Sequence, residues 1–170
     1  MKKISIAIAL FISTQTMAQT PLAPTENFNI EGKTDQPKTI SLTDLKGLAV
    51  VHIDSLVITN HLHQKKSVLK NITGVLLKDV LEKVIITQPN PKLLSEYYFV
   101  CIASDNYKAV FSWNELFNNE TGKHVMIITG VDGKTGQAMD SHIALISPTD
   151  EATGRRYVKG LQKIIIERAL

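Results

Sequence analysis

The sequence predicts a mixed α+β fold with several short β-strands and two or three short helices. Short runs rich in Val, Ile and aromatic residues recur, and Gly, Pro, Asn and Asp interrupt them. Only one segment, Leu76 to Ile85, carries a long apolar stripe at helical spacing. Strand and helix signals follow no regular alternation, which separates the chain from a parallel α/β array. A length of 170 residues favours one domain, placed at residues 28–170.

Taken in order, Phe28–Glu31 reads as a first strand ended by Gly32, and Lys38–Leu42 as a second. Ser41 and Asp44 are spaced to cap a helical turn over Thr43–Lys46, stopped by Gly47. Leu48–Thr59 reads as a longer strand. Strict alternation there puts His52, Asp54 and Leu56 on one face, and Val51, Ile53 and Ser55 on the other. Asn60–Ser67 is polar and basic and reads as a hairpin loop or an edge, with Val68–Ile72 as its return strand. Thr73-Gly74 then leads into the helix whose stripe is Leu76, Leu77, Val80, Leu81, Val84 and Ile85, stopped by Pro89 and Pro91.

Tyr97–Ala103 is apolar, aromatic or small throughout, as in a strand buried on both faces. Ser104-Asp105-Asn106 supplies turn chemistry, since Asx side chains bond locally and tolerate positive φ. Tyr107–Phe111 alternates. Ser112 and Glu115 are spaced as a capping box, with Phe111 and Leu116 as its hydrophobic staple. Asn118–Lys123 is a loop, Val125–Val131 a buried strand, Ile143–Ser147 a short strand, Thr149–Arg155 a surface loop and Lys163–Glu167 a final strand.

Met1-Lys2-Lys3, the apolar run Ile4–Ile12 and Thr16-Met17-Ala18 have the layout of a secretory signal peptide over residues 1–18. The run is about half of the ~20 residues a spanning helix needs. Residues 19–27, with two prolines, read as a mobile N-terminal arm. The expected location is periplasmic or secreted, in a bacterium. The formal charge of +3 falls to +1 once Lys2 and Lys3 leave with the leader, which argues against nucleic acid as a partner. Cys101 is the single cysteine, so no intramolecular disulfide forms, and its apolar strand points to a buried, inert thiol. A chain this long buries roughly two-thirds of its unfolded surface without such a staple.

His61 and His63 are two apart, as for two corners of a zinc site with His52 and Asp54 near. The neighbouring Lys65 and Lys66 repel a cation, and no metal site is expected. No nucleophile elbow, Walker motif or dinucleotide fingerprint is present. Arg155, Arg156 and Lys159, with Lys108, are the residues suited to gathering a small anion, because Arg presents a fork of donors to an oxyanion. A solvated surface cluster is the plainer alternative.

Four segments resemble, in order, the molybdopterin-binding domain of the sulfite oxidase family. They are Phe28-Asn-Ile-Glu-Gly32 with Ile40-Ser-Leu-Thr-Asp-Leu45; Gly74-Val-Leu-Leu-Lys-Asp-Val-Leu81; Ser104-Asp-Asn-Tyr-Lys-Ala-Val-Phe-Ser112 with Glu115-Leu116; and Arg156-Tyr-Val-Lys-Gly-Leu-Gln-Lys-Ile-Ile-Ile166. The resemblance implies a sulfite-oxidase-type fold, oxidoreductase-like ancestry and molybdopterin as cofactor. It implies Arg155, Arg156 or Lys159 near the pterin phosphate and Asp105 and Tyr107 lining the pocket.

The chain departs from that family at telling places. The metal-ligating cysteine lies upstream of the Gly74 motif in the family, and residues 48–73 contain none. Cys101 lies downstream and does not take that role. Ala144 stands where the family often has an arginine, four residues before Pro148, and Asn106 stands for the turn glycine. Two expectations remain open: a molybdopterin-binding domain that is not redox-competent alone, and a cofactor-free ligand-binding or accessory domain.

Overall fold

The computed structural model describes residues 20–169. The expected signal peptide over 1–18 lies outside the described residues. In chain order, β1 (Asn27–Gly32) and β2 (Lys38–Ser41) lead into α1 (Leu42–Leu45). A long hairpin follows, β3 (Val50–Thr59) and β4 (Lys65–Leu76), and then α2 (Leu77–Leu81). β5 (Tyr97–Ala103) and β6 (Lys108–Ser112) form a second hairpin that ends in α3 (Trp113–Phe117). β7 (Met126–Val131), β8 (Lys134–Thr135), β9 (Ala144–Ile146), β10 (Val158–Lys159) and β11 (Leu161–Arg168) complete the chain.

The strands form two sheets, and the fold is α+β. The first has the order β2-β1-β11-β5-β6, with β1 and β11 parallel and the other pairs antiparallel. The second has the order β10-β9-β7-β4-β3, with β8 beside β7. Phe28, Ile30, Phe99, Phe111 and Ile164 of the first sheet share one core with Val75, Ile127 and Leu145 of the second. The opposite face of the second sheet carries a smaller cluster around Ile58, Ile72, Met126, Ile128 and Ile146.

Local signals set both long-range joints. Ser41 and Asp44 form a reciprocal capping box at α1, as Ser112 and Glu115 do at α3. Asn106 sits at φ 68°, and the Asp105 carboxylate accepts the Tyr107 amide at 2.9 Å, which closes the β5–β6 turn. Residues 20–26 run beside this turn. The Ala23 amide donates to Ser104 Oγ at 2.9 Å, and Ser104 Oγ donates to the Ala23 carbonyl at 2.6 Å.

Three local expectations need correction. The helix expected over Leu76–Ile85 is only Leu77–Leu81, because Leu76 still pairs with Met126 while Ile85 and Thr87 bond back to residues 33–35. Gly74 lies within β4, where a Cβ would lie 2.1 Å from the Ile127 carbonyl oxygen, so only glycine lets β4 approach β7. β5 is fully buried on one face alone, through Tyr97, Phe99, Cys101 and Ala103. The β3–β4 hairpin also breaks strict alternation. Val51 and Ile53 pack on the smaller cluster, but so do Leu56 and Ile58. The partner strand makes the same change between Ile72 and Leu69, around Asn71 at φ 48°. Leu56 therefore shares a face with Ile53 and not with His52.

Candidate functional site

The β5–β6 turn, the tip of the β3–β4 hairpin and the 3-10 turn Thr153–Arg156 meet around a cleft of about 540 Å³. Its lining includes His61, Lys66, Tyr107, Gly154 and Arg155, and no carboxylate contributes to it. Each wall has a local reason for its position. Asn60 Oδ1 accepts the amides of Leu62 and Gln64, both at 3.0 Å, and this shapes the loop that presents His61. Thr153 accepts the Thr59 amide at 3.0 Å and donates to the Val57 carbonyl at 2.8 Å, which fixes the 3-10 turn to the end of β3. Gly154 is required there, since a Cβ would lie 2.5 Å from the Thr59 carbonyl oxygen. The Tyr107 hydroxyl donates to the Arg155 carbonyl and closes the ring of contacts.

Of the five residues singled out from the sequence, Tyr107 and Arg155 meet in this cleft. Asp105 stands at its turn and spends one oxygen on the Tyr107 amide. Arg156 turns inward. Its Nη2 lies 2.6 Å from Asp150 Oδ1, its Nε 2.7 Å from Asp150 Oδ2 and its Nη1 2.8 Å from Glu115 Oε1. The guanidinium also stacks 4.3 Å above the Phe111 ring. Lys159 lies on β10 with Nζ 5.1 Å from the Tyr157 ring centre, and Lys108 is exposed on β6.

The Arg156 cluster reshapes the titration of its partners. Burial pushes the Asp150 carboxyl up, but hydrogen bonds from Arg156 and Ser147 outweigh it, and the net pKa is below the usual 3.8. Glu115 behaves likewise: burial raises it, and the Ser112 amide together with Arg156 brings it below 4.5. The cleft surface thus keeps its positive character from Lys66 and Arg155, while Arg156 is neutralised by Asp150 and Glu115.

The Cys101 side chain is fully buried on the core face of β5, and burial pushes its thiol up to about 12. Among the described residues, no three His, Cys, Asp or Glu side chains converge as a metal site. His61 enters the cleft without His63. The sequence places His61 and Lys66 in a polar hairpin loop or edge and does not join them to Tyr107 and Arg155; Lys66 in fact lies on β4. The only sequence signal was the shared basic character of two loops.

No protein-family model matches the chain, and no curated protein does. Among solved structures, the fold is similar to a chain of the sulfane dehydrogenase SoxCD from Paracoccus pantotrophus, with a TM-score of 0.59. The match covers 89% of this chain at 13% sequence identity. That is a distant relationship of fold. This chain spans 39% of the length of the SoxCD chain.

Proposed function

We propose that this chain is an exported domain of the sulfite-oxidase type that binds an anionic, phosphate-bearing ligand of the pterin class and is not redox-competent alone. The carrying observation is the cleft, where Lys66 and Arg155 offer cationic donors, His61 a ring nitrogen and Tyr107 an aromatic wall, with no carboxylate among its lining residues. The phosphate of a molybdopterin-like ligand fits these donors.

A molybdenum centre does not fit. The family holds the metal partly by a cysteine thiolate. The only thiol here is sealed in the core with its pKa near 12, away from the cleft lining. No oxygen-atom transfer is therefore assigned to these residues. The same thiol is what favours the second reading, a cofactor-free ligand-binding or accessory domain.

Production of the full chain in a host that makes and loads the cofactor separates these readings. Molybdenum and extractable pterin are measured per chain. Pterin without metal supports a binding domain, and near-stoichiometric metal overturns it. Neither metal nor pterin leaves the accessory reading.

A further inference from the structure

We propose that a second cleft, of about 530 Å³, binds a small organic carboxylate with an apolar body. This cleft lies between α1, the first residue of β3, and the β4, β7 and β8 strands, and it shares no lining residue with the one around Tyr107 and Arg155. Its volume falls in the range of small-ligand sites, roughly 300–1,000 Å³.

The chemistry of its walls selects the ligand. Leu42, Leu45, Val50 and Val75 give an apolar floor, and Val50 is 68% exposed, so nothing in the described chain covers that side. Thr73, Thr129 and Thr135 come from three adjacent strands and line the opposite wall with hydroxyl-bearing residues. Lys46 is the one charged residue of the lining. The nearest acid on α1, Asp44, is committed to its capping box, with Oδ2 2.8 Å from the Ser41 amide. The cleft lining therefore presents a single cation beside hydroxyl-bearing residues and an apolar surface, and the Glu26 carboxylate next to it is engaged by Gln137. A monoanion with an apolar body meets all three; a bare inorganic polyanion leaves the apolar surface unused.

The walls are also fixed in place. Glu26 bonds both sides at once: its carbonyl accepts the Leu42 amide at 3.3 Å, and its carboxylate accepts from Gln137 Nε2 at 2.7 Å. Gly130 keeps the Thr73 hydroxyl where it is, since a Cβ would lie 2.3 Å from Thr73 Oγ1. A preformed site loses less binding energy to ordering.

The test is titration of the isotope-labelled full chain with phenylacetate, followed by amide ¹H–¹⁵N shifts. Phenylacetamide and phenethylamine serve as neutral and cationic isosteres. Saturable millimolar binding is expected, with shifts confined to Thr43–Lys46, Thr73, Thr129 and Thr135–Ala138. Phenylacetate should bind about threefold to fivefold more tightly than phenylacetamide, as one exposed charge pair supplies. Lys46→Gln, at an exposed helix end, should abolish that preference while its spectrum reports an intact fold. Absence of saturable shifts, shifts centred on His61 and Arg155, equal affinity for the three probes, or an unchanged preference in Lys46→Gln each overturns the proposal.

Discussion

Replacing Arg156 by methionine tests how the two sheets are tied at the candidate site. The guanidinium joins Asp150, in the loop after β9, to Glu115 at the start of α3, and rests on Phe111 of β6. Methionine keeps much of the apolar stem but leaves Asp150, whose side chain is 15% exposed, with Ser147 as its remaining hydrogen-bonding side chain. Loss of one partner from a buried ion pair costs about 3–5 kcal/mol. Glu115 is 37% exposed and keeps both bonds of its capping box, which places the expected loss at the low end, about 3 kcal/mol. Urea unfolding followed by Trp113, the single tryptophan, stacked on Phe117 in the same helix, reads this directly. With a slope of about 2 kcal/mol per molar urea, the midpoint should fall by about 1.5 M. Adding Asp150→Asn to the Arg156→Met variant removes the stranded charge and should recover about 1–2 kcal/mol. A loss below about 1 kcal/mol, or a double variant no more stable than the single one, would refute the reasoning.

Three other outcomes follow from the same contacts. Asp150 and Glu115 have folded pKa values below their usual 3.8 and 4.5, so their contribution is complete above those values and is lost as pH falls through the folded ones; acid unfolding below about pH 4 should be steeper in the native chain than in Arg156→Met. Cys101 should resist thiol reagents in the folded protein at pH 8 and react fully in denaturant, because its thiol is both inaccessible and raised to about 12; rapid native labelling would contradict its burial. Gly74→Ala should cost about 2–3 kcal/mol or prevent folding, since its methyl meets the Ile127 carbonyl; a thermal midpoint within a degree of the native chain would show that β4 and β7 can separate cheaply.

The parts of this fold that were legible in the sequence are those encoded within a few residues. Both capping boxes and the Asx turn at Asp105 satisfy their hydrogen bonds locally, and their residue types announce it. The shortened α2 was not legible. Its apolar stripe is compatible with a longer helix, and only the pairing of Leu76 with β7 and of Ile85 with residues 33–35 ends it. Gly74 shows the same limit, because its need arises from a carbonyl more than fifty residues away. At the candidate site, the sequence marked Tyr107 and Arg155 but gave no means to tell Arg155 from Arg156. Packing separates them: one guanidinium reaches the cleft, and its neighbour is claimed by Asp150 and Glu115.

The change of face in the β3–β4 hairpin has a consequence for how the protein behaves in concentrated solution. β3 is the outermost strand of its sheet and carries neither lysine nor proline, the usual guards of an open edge. Side-chain face and amide direction are locked together along a strand, so the swap at Asp54 also switches which residues turn their amides outward. Beyond it, Val57 and Thr59 do so, and Thr153 already occupies them. Ahead of it the outward set is the even-numbered one. A foreign strand in step with one half is out of step with the other, so the edge resists templated aggregation through its own irregularity.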